Sequence, residues 1–237
     1  MFAVFKREFK SFFQGVVGYV VMAVFLIIAG AGFFLYNVYS GSASIATMLG
    51  QLQLWAMLVI PLLTMKLFSD ERRLKTDQLL LTSPVSLWGI TIGKFLATCA
   101  FFFIMMAITF VYVAIIDIFG TPAYNEVFTG YLGFFLLACA LISMGVFAST
   151  ITENQIVAAI VTLLMILFVN LAGSLAAMVS DMPILYYLFK MVDVYGRFYN
   201  FSYSIISLSD VIYMLSYTGV FLYLTVYNIE KRRWSEG

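Results

Sequence analysis

Six apolar runs, at about 16–38, 48–67, 90–116, 128–149, 156–179 and 211–229, constrain this chain more than any motif in it. A helix needs roughly 20 apolar residues to cross the hydrocarbon of a bilayer, where every backbone N–H and C=O must be satisfied within the segment. The last run is bounded by Asp210 and Glu230, and the residues between them would rise about 28 Å as a helix, close to the thickness to be crossed. A mean hydropathy of +1.02, with 63% hydrophobic residues, excludes a soluble domain, which would expose too much hydrocarbon surface to water. The reading is an all-α integral membrane protein, with residues 1–237 forming one domain of six transmembrane helices.

Basic residues set the orientation. With six spans and the N-terminus inside, Lys6, Arg7, Lys10, Lys66, Arg72, Arg73, Lys75, Lys94, Lys231, Arg232 and Arg233 share one side, 11 of the 13. Lys190 and Arg197 lie opposite. The positive-inside rule then places both termini in the cytoplasm of a multi-pass protein of the cell membrane. The first run is too long for the apolar core of a signal peptide and lacks a small-x-small cleavage site, so it is expected to be retained.

Several chemistries are missing. The chain has no histidine, which excludes imidazole catalysis and His-ligated metals. Cys99 and Cys139 both fall inside apolar runs and read as small buried hydrophobes; no metal site is expected. Lys66, Lys94 and Asp117 fall at span ends, where they are expected to snorkel, and the span centres are almost free of ionisable groups. Ion-coupled carriers usually need such groups at mid-depth, so the energy for any transport would come from elsewhere. The stretch Gly89-Ile-Thr-Ile-Gly93-Lys94-Phe95 fails as a phosphate loop. It is one residue short and has Phe95 where Ser or Thr would meet magnesium.

Residues 1–13 place Phe2, Phe5, Phe9, Phe12 and Phe13 on one helical face and Lys6, Arg7 and Lys10 on another, with Glu8 apart. That is the pattern of an interfacial helix, its aromatics at the acyl boundary and its cations among headgroups. The segment 180–209 carries Tyr187, Tyr195, Phe198 and Tyr199 interleaved with Lys190, Asp193 and Arg197. It is too polar to span and is expected to rest at the outer interface as short amphipathic helices broken near Gly196. Two roles fit it equally: an external gate built on Tyr187, Tyr195, Arg197, Phe198 and Tyr199, or an ordinary aromatic belt.

The segment 69–84 concentrates six charges, Asp70, Glu71, Arg72, Arg73, Lys75 and Asp77, in a chain only 11% charged. Ser69 or Asp70 reads as an N-cap, and the acids suit the positive end of a helix dipole. Glu71 with Lys75 and Arg73 with Asp77 have the i,i+4 spacing of ion pairs. Leu74, Leu79, Leu80 and Leu81 give an apolar edge, and Pro84 stops the helix. The expectation is a short amphipathic helix between spans two and three; the alternative is a solvated connector whose charges enforce topology.

Residues 70–97, DERRLKTDQLLLTSPVSLWGITIGKFLA, resemble the loop between spans two and three of the ABC type-2 export permeases. That loop has an acidic-basic start, a Thr, a Leu-Leu-x-Ser/Thr-Pro core and a Gly-Lys entering span three. Ser209-Asp-Val-Ile-Tyr213, Phe221-Leu-Tyr-Leu224 and Glu230-Lys-Arg-Arg-Trp234 are similar to the gliding-motility permease branch, so the resemblance runs along essentially the whole chain. Lys75-Thr76-Asp77 stands where many relatives carry a small Gly-Thr pair. The resemblance implies a non-catalytic membrane subunit paired with a second permease copy or related subunit, and two cytoplasmic ATPase subunits holding ATP and Mg. It also implies coupling through Asp70, Glu71, Arg72, Arg73, Lys75, Thr76, Asp77 and Leu80, and through the N-terminal helix at Phe5, Lys6, Arg7, Phe9 and Lys10. No cofactor bound by this chain and no nucleic-acid partner are expected.

Two rival classes make different demands. A self-contained channel or secondary carrier calls for mid-membrane charges or an inverted repeat. A membrane-embedded enzyme calls for clustered acids or metal ligands at an interface, and 69–77 lacks the spacing of a metal site.

Overall fold

The computed structural model of the protein describes residues 1–76 and 86–235, with backbone alone for 233–235. Six of its helical segments are long and apolar enough to cross a membrane. α1 (Phe2–Gln14) ends at Gly15, whose extended backbone (φ −97°, ψ 142°) turns the chain into α2 (Val16–Phe33). The first span finishes in a π-helical turn, Phe34–Tyr39. α3 (Ala46–Thr64) is the second span and leads through a turn into the five-residue α4 (Ser69–Arg73). The third span runs through α5 (Leu87–Ile108) and α6 (Phe110–Phe119). α7 (Tyr124–Ile151) and α8 (Gln155–Met178) are the fourth and fifth. Two short helices follow, α9 (Pro183–Val192) and α10 (Val194–Ser202), and α11 (Leu208–Ser235) is the last span.

α7 sits at the centre of the bundle: 72% of its most apolar stretch is buried, against 28% for the first and fifth spans. Lipid tails are as apolar as leucine, so helices associate in a bilayer through close packing, which small residues permit. α7 supplies them. A Cβ on Gly133 would overlap the Phe201 ring, and one on Gly145 would overlap Thr64. Side-chain caps fix where two of the spans begin. Ser86 Oγ accepts from the Gly89 N–H at 3.1 Å at the head of α5, and Asn154 Oδ1 accepts from the Ile156 N–H at 2.9 Å at the head of α8.

The two ends of the bundle are tied differently. At the end shared by α1 and α4, Asn228 Nδ2 of α11 donates to Thr150 Oγ1 at 2.8 Å, and the Arg232 guanidinium donates to the Ile151 carbonyl at 3.2 Å. At the opposite end one carboxylate oxygen of Glu126 accepts from the Ala46 N–H at 2.9 Å and from the Ser44 hydroxyl, anchoring the start of α3 to α7.

The last helix carries the expected apolar run and continues past Glu230 to Ser235, because charged residues end a membrane crossing without breaking a helix. The structure alters three expectations. The break in 180–209 falls at Asp193, not near Gly196: the Asp193 carboxylate caps α10 by accepting from the Gly196 N–H at 2.8 Å, and a Cβ on Gly196 would overlap it. Nor does that whole segment rest on the surface. α10 buries Val194, Tyr195, Phe198 and Phe201 in the bundle, with Phe201 fitting over Gly133 of α7 and Phe198 packing on Phe134. Finally, neither Ser69 nor Asp70 caps α4. Phe68 occupies that position without a side-chain bond, and the Ser69 hydroxyl donates back to the Met65 carbonyl.

Candidate functional site

Four charged residues, Arg7 and Glu8 of α1, Glu71 of α4 and Lys94 of α5, converge on a single cluster. Lys94 lies two turns into α5, and its side chain is only 1% exposed. Its ammonium donates to Glu8 Oε1 at 3.3 Å and to the Leu67 carbonyl, and it pairs with Glu71 Oε1 at 2.9 Å. An ammonium has three protons, and three acceptors surround this one. The Phe68 ring adds a face 4.8 Å from the nitrogen. Arg7 closes the set from outside, its Nη2 lying 2.6 Å from both Glu8 Oε1 and Glu71 Oε1. Burial works against the Arg7 charge, but its bonds to Glu8 and the negative field of both acids leave its pKa raised. Two cations and two carboxylates thus make an electrically neutral clasp of α1, α4 and α5.

Sequence reasoning placed Lys94 at a span end, free to snorkel, and left Glu8 without a role. The structure corrects both. α1 lies directly across the start of α5, so the ammonium meets carboxylates before it could reach water. Gly93 makes this approach possible, since a Cβ there would come within 3.1 Å of the Met1 carbonyl and the Val4 Cβ. A lone acid in a basic helix, together with a Gly-Lys pair opening an apolar run, was the available signal.

A second set of bonds ties α4 to the turn between α7 and α8. Arg72 Nη1 donates to the Thr150 carbonyl at 3.2 Å, and its Nη2 pairs with Glu153 at 3.0 Å. Gln155 Nε2 donates to Asp70, which also pairs with Arg73 at 3.3 Å. Glu71, expected to meet Lys75, turns instead to Arg7 and Lys94. Arg73, Leu74, Lys75 and Thr76 are exposed; Lys75 adopts a left-handed φ of 54°, and the Thr76 N–H and hydroxyl both reach back to the Glu71 carbonyl. Asp77, Leu79, Leu80, Leu81 and Pro84 lie outside the described residues.

In α1, Phe2, Phe5, Phe9 and Phe13 form a ladder of rings with centroids 6.2, 5.7 and 5.2 Å apart, and Phe12 stacks on Phe101 at 4.8 Å. Lys6 and Lys10 point outward, exposed.

The five residues considered for an external gate do not form one surface. Tyr187 and Tyr199 are exposed, while Tyr195 and Phe198 are core residues, Phe198 packing on Phe134 with centroids 6.3 Å apart. Burial pushes the Tyr195 hydroxyl pKa well up. Arg197 Nη1 donates to Asp210 Oδ1 at 2.9 Å, Asn200 Nδ2 donates to Asp210 Oδ2 at 2.7 Å, and the guanidinium lies 5.2 Å from the Tyr213 ring centre. This cluster fastens α10 to α11.

No protein-family model matches the chain, and no curated protein matches it.

Proposed function

We propose that this six-span membrane protein is the transmembrane subunit of an ATP-driven exporter of the ABC type-2 class, with its basic end and both termini in the cytoplasm. The observation that supports this reading is the double attachment of α4. Glu71 joins it to α1 and α5 through Arg7 and Lys94, while Arg72 joins it to the α7–α8 turn through Thr150 and Glu153. A displacement of this five-residue element therefore reaches four of the helices in its neighbourhood. A bundle with two arrangements needs an external bias to move between them, and a gripped helix so connected can deliver it.

In this reading the two layers of α4 have different duties. Exposed Arg73, Lys75 and Thr76 meet a groove on the ATPase, joined by Lys6 and Lys10 of α1; Glu71 and Arg72 transmit the movement inward. The chain has no catalytic residues of its own. ATP and Mg sit on two partner ATPase subunits, and a second permease copy completes the membrane core. The cargo is an amphiphile moved outward across the cytoplasmic membrane. Reversing charge at Arg73 and Lys75 is expected to abolish ATPase capture, whereas reversing it at Glu71 and Arg72 uncouples ATP hydrolysis from transport with the ATPase still bound. ATP-driven transport left unchanged by the second pair would sink the assignment.

A further inference from the structure

The clasp forms one wall of a cleft of about 520 Å³ between α1, the start of α2 and the end of α3. Charged and apolar groups share its lining, with Lys66 and Glu71 among the former and Phe12, Val17 and Leu62 among the latter. Leu62 is 41% exposed on the outer side of α3, so the apolar part of the cleft faces the surroundings of the bundle.

The lining carries three cations, Arg7, Lys66 and Lys94, and three carboxylates, Glu8, Asp70 and Glu71, but none of the carboxylates pairs with Lys66. Glu8 and Glu71 are taken by Arg7 and Lys94, and Asp70 by Arg73, which lies outside the lining. Among the described residues the Lys66 ammonium has no ion-pair or hydrogen-bonding partner, although its side chain is partly buried. It lies two residues beyond the end of α3, where a span meets the headgroup layer. A partly desolvated ammonium without a counter-charge draws an anion, and at this depth the abundant anion is a lipid phosphate.

We propose that the cleft binds one membrane phospholipid, with Lys66 holding the phosphate and an acyl chain lying along Val17 and Leu62. The site requires only that the chain lies in a bilayer and does not rest on the exporter reading. Because Glu71 lines both the cleft and the clasp, a lipid seated there would brace the same wall that joins α1 to α4.

The test is native mass spectrometry of the full chain in mild detergent, titrated with dioleoylphosphatidylglycerol and, separately, with dioleoylglycerol. The proposal expects a single tight phosphatidylglycerol adduct and none with the phosphate-free lipid. Lys66→Gln should weaken the adduct about fivefold to tenfold, with Lys66→Arg restoring it. Leu62→Trp, which fills the apolar side and leaves every charge in place, should weaken it as well. Equal retention of dioleoylglycerol or an unchanged affinity in Lys66→Gln would overturn the proposal. Full displacement by inorganic phosphate would also overturn it, because the site would then belong to a soluble anion.

Discussion

Lys94 and Glu71 meet at 2.9 Å with the ammonium 1% exposed and the carboxylate 16% exposed, across 23 positions of sequence. A charge so far from water is tolerated only when its partners are complete. Here Glu8 and the Leu67 carbonyl complete them, so the fold at this end depends on α1 being in place.

Lys94→Met removes the buried cation and leaves Glu8 and Glu71 facing each other with Arg7 alone. Breaking a buried pair costs roughly 3–5 kcal/mol, and a fall in the melting temperature of the detergent-solubilised chain is expected. Adding Glu71→Gln to that variant should recover part of the loss, because the two positions are coupled. Purely additive effects would show that the clasp does not act as a unit.

Asp210→Asn weakens the fastening of α10 to α11. Asp210 is 1% exposed and accepts from both Arg197 and Asn200, so losing its charge costs on the order of 1–3 kcal/mol locally. Hydrogen exchange should accelerate in Val194–Ser202 and stay unchanged in α1. A uniform change along the chain would argue against a local latch.

Gly145→Val places a branched side chain where Thr64 already sits, and Gly133→Val does the same against Phe201. Overpacking costs about 1–3 kcal/mol at such sites. Both variants should melt earlier in detergent, while Gly50→Ala, inside α3 with nothing within 4 Å of the added carbon, should be neutral to slightly stabilising.

The spans were legible because crossing a bilayer imposes a length and a composition on consecutive residues. Val16–Tyr39 and Gln155–Met178 fall within a residue or so of the apolar runs that announced them. The clasp was not legible. Glu8, Glu71 and Lys94 are separated by 63 and 23 positions, and no local pattern states that α1 crosses the start of α5. The same holds for 180–209: alternating aromatic and polar residues describe an amphipathic helix, but nothing local says that Phe201 will fit over Gly133 of α7 or that Phe198 will pack on Phe134. The cap at Asp193 was missed, because Gly196 drew attention as the commoner helix breaker.

We propose that α4 receives force from a cytoplasmic ATPase, and the decisive experiment is co-purification from the native host in mild detergent. A nucleotide-binding ATPase is expected to stay with the wild-type chain and to be lost when Arg73 and Lys75 are both replaced by glutamate, with the melting temperature unchanged. A chain that purifies alone at every salt concentration would contradict it and favour a self-contained channel or carrier.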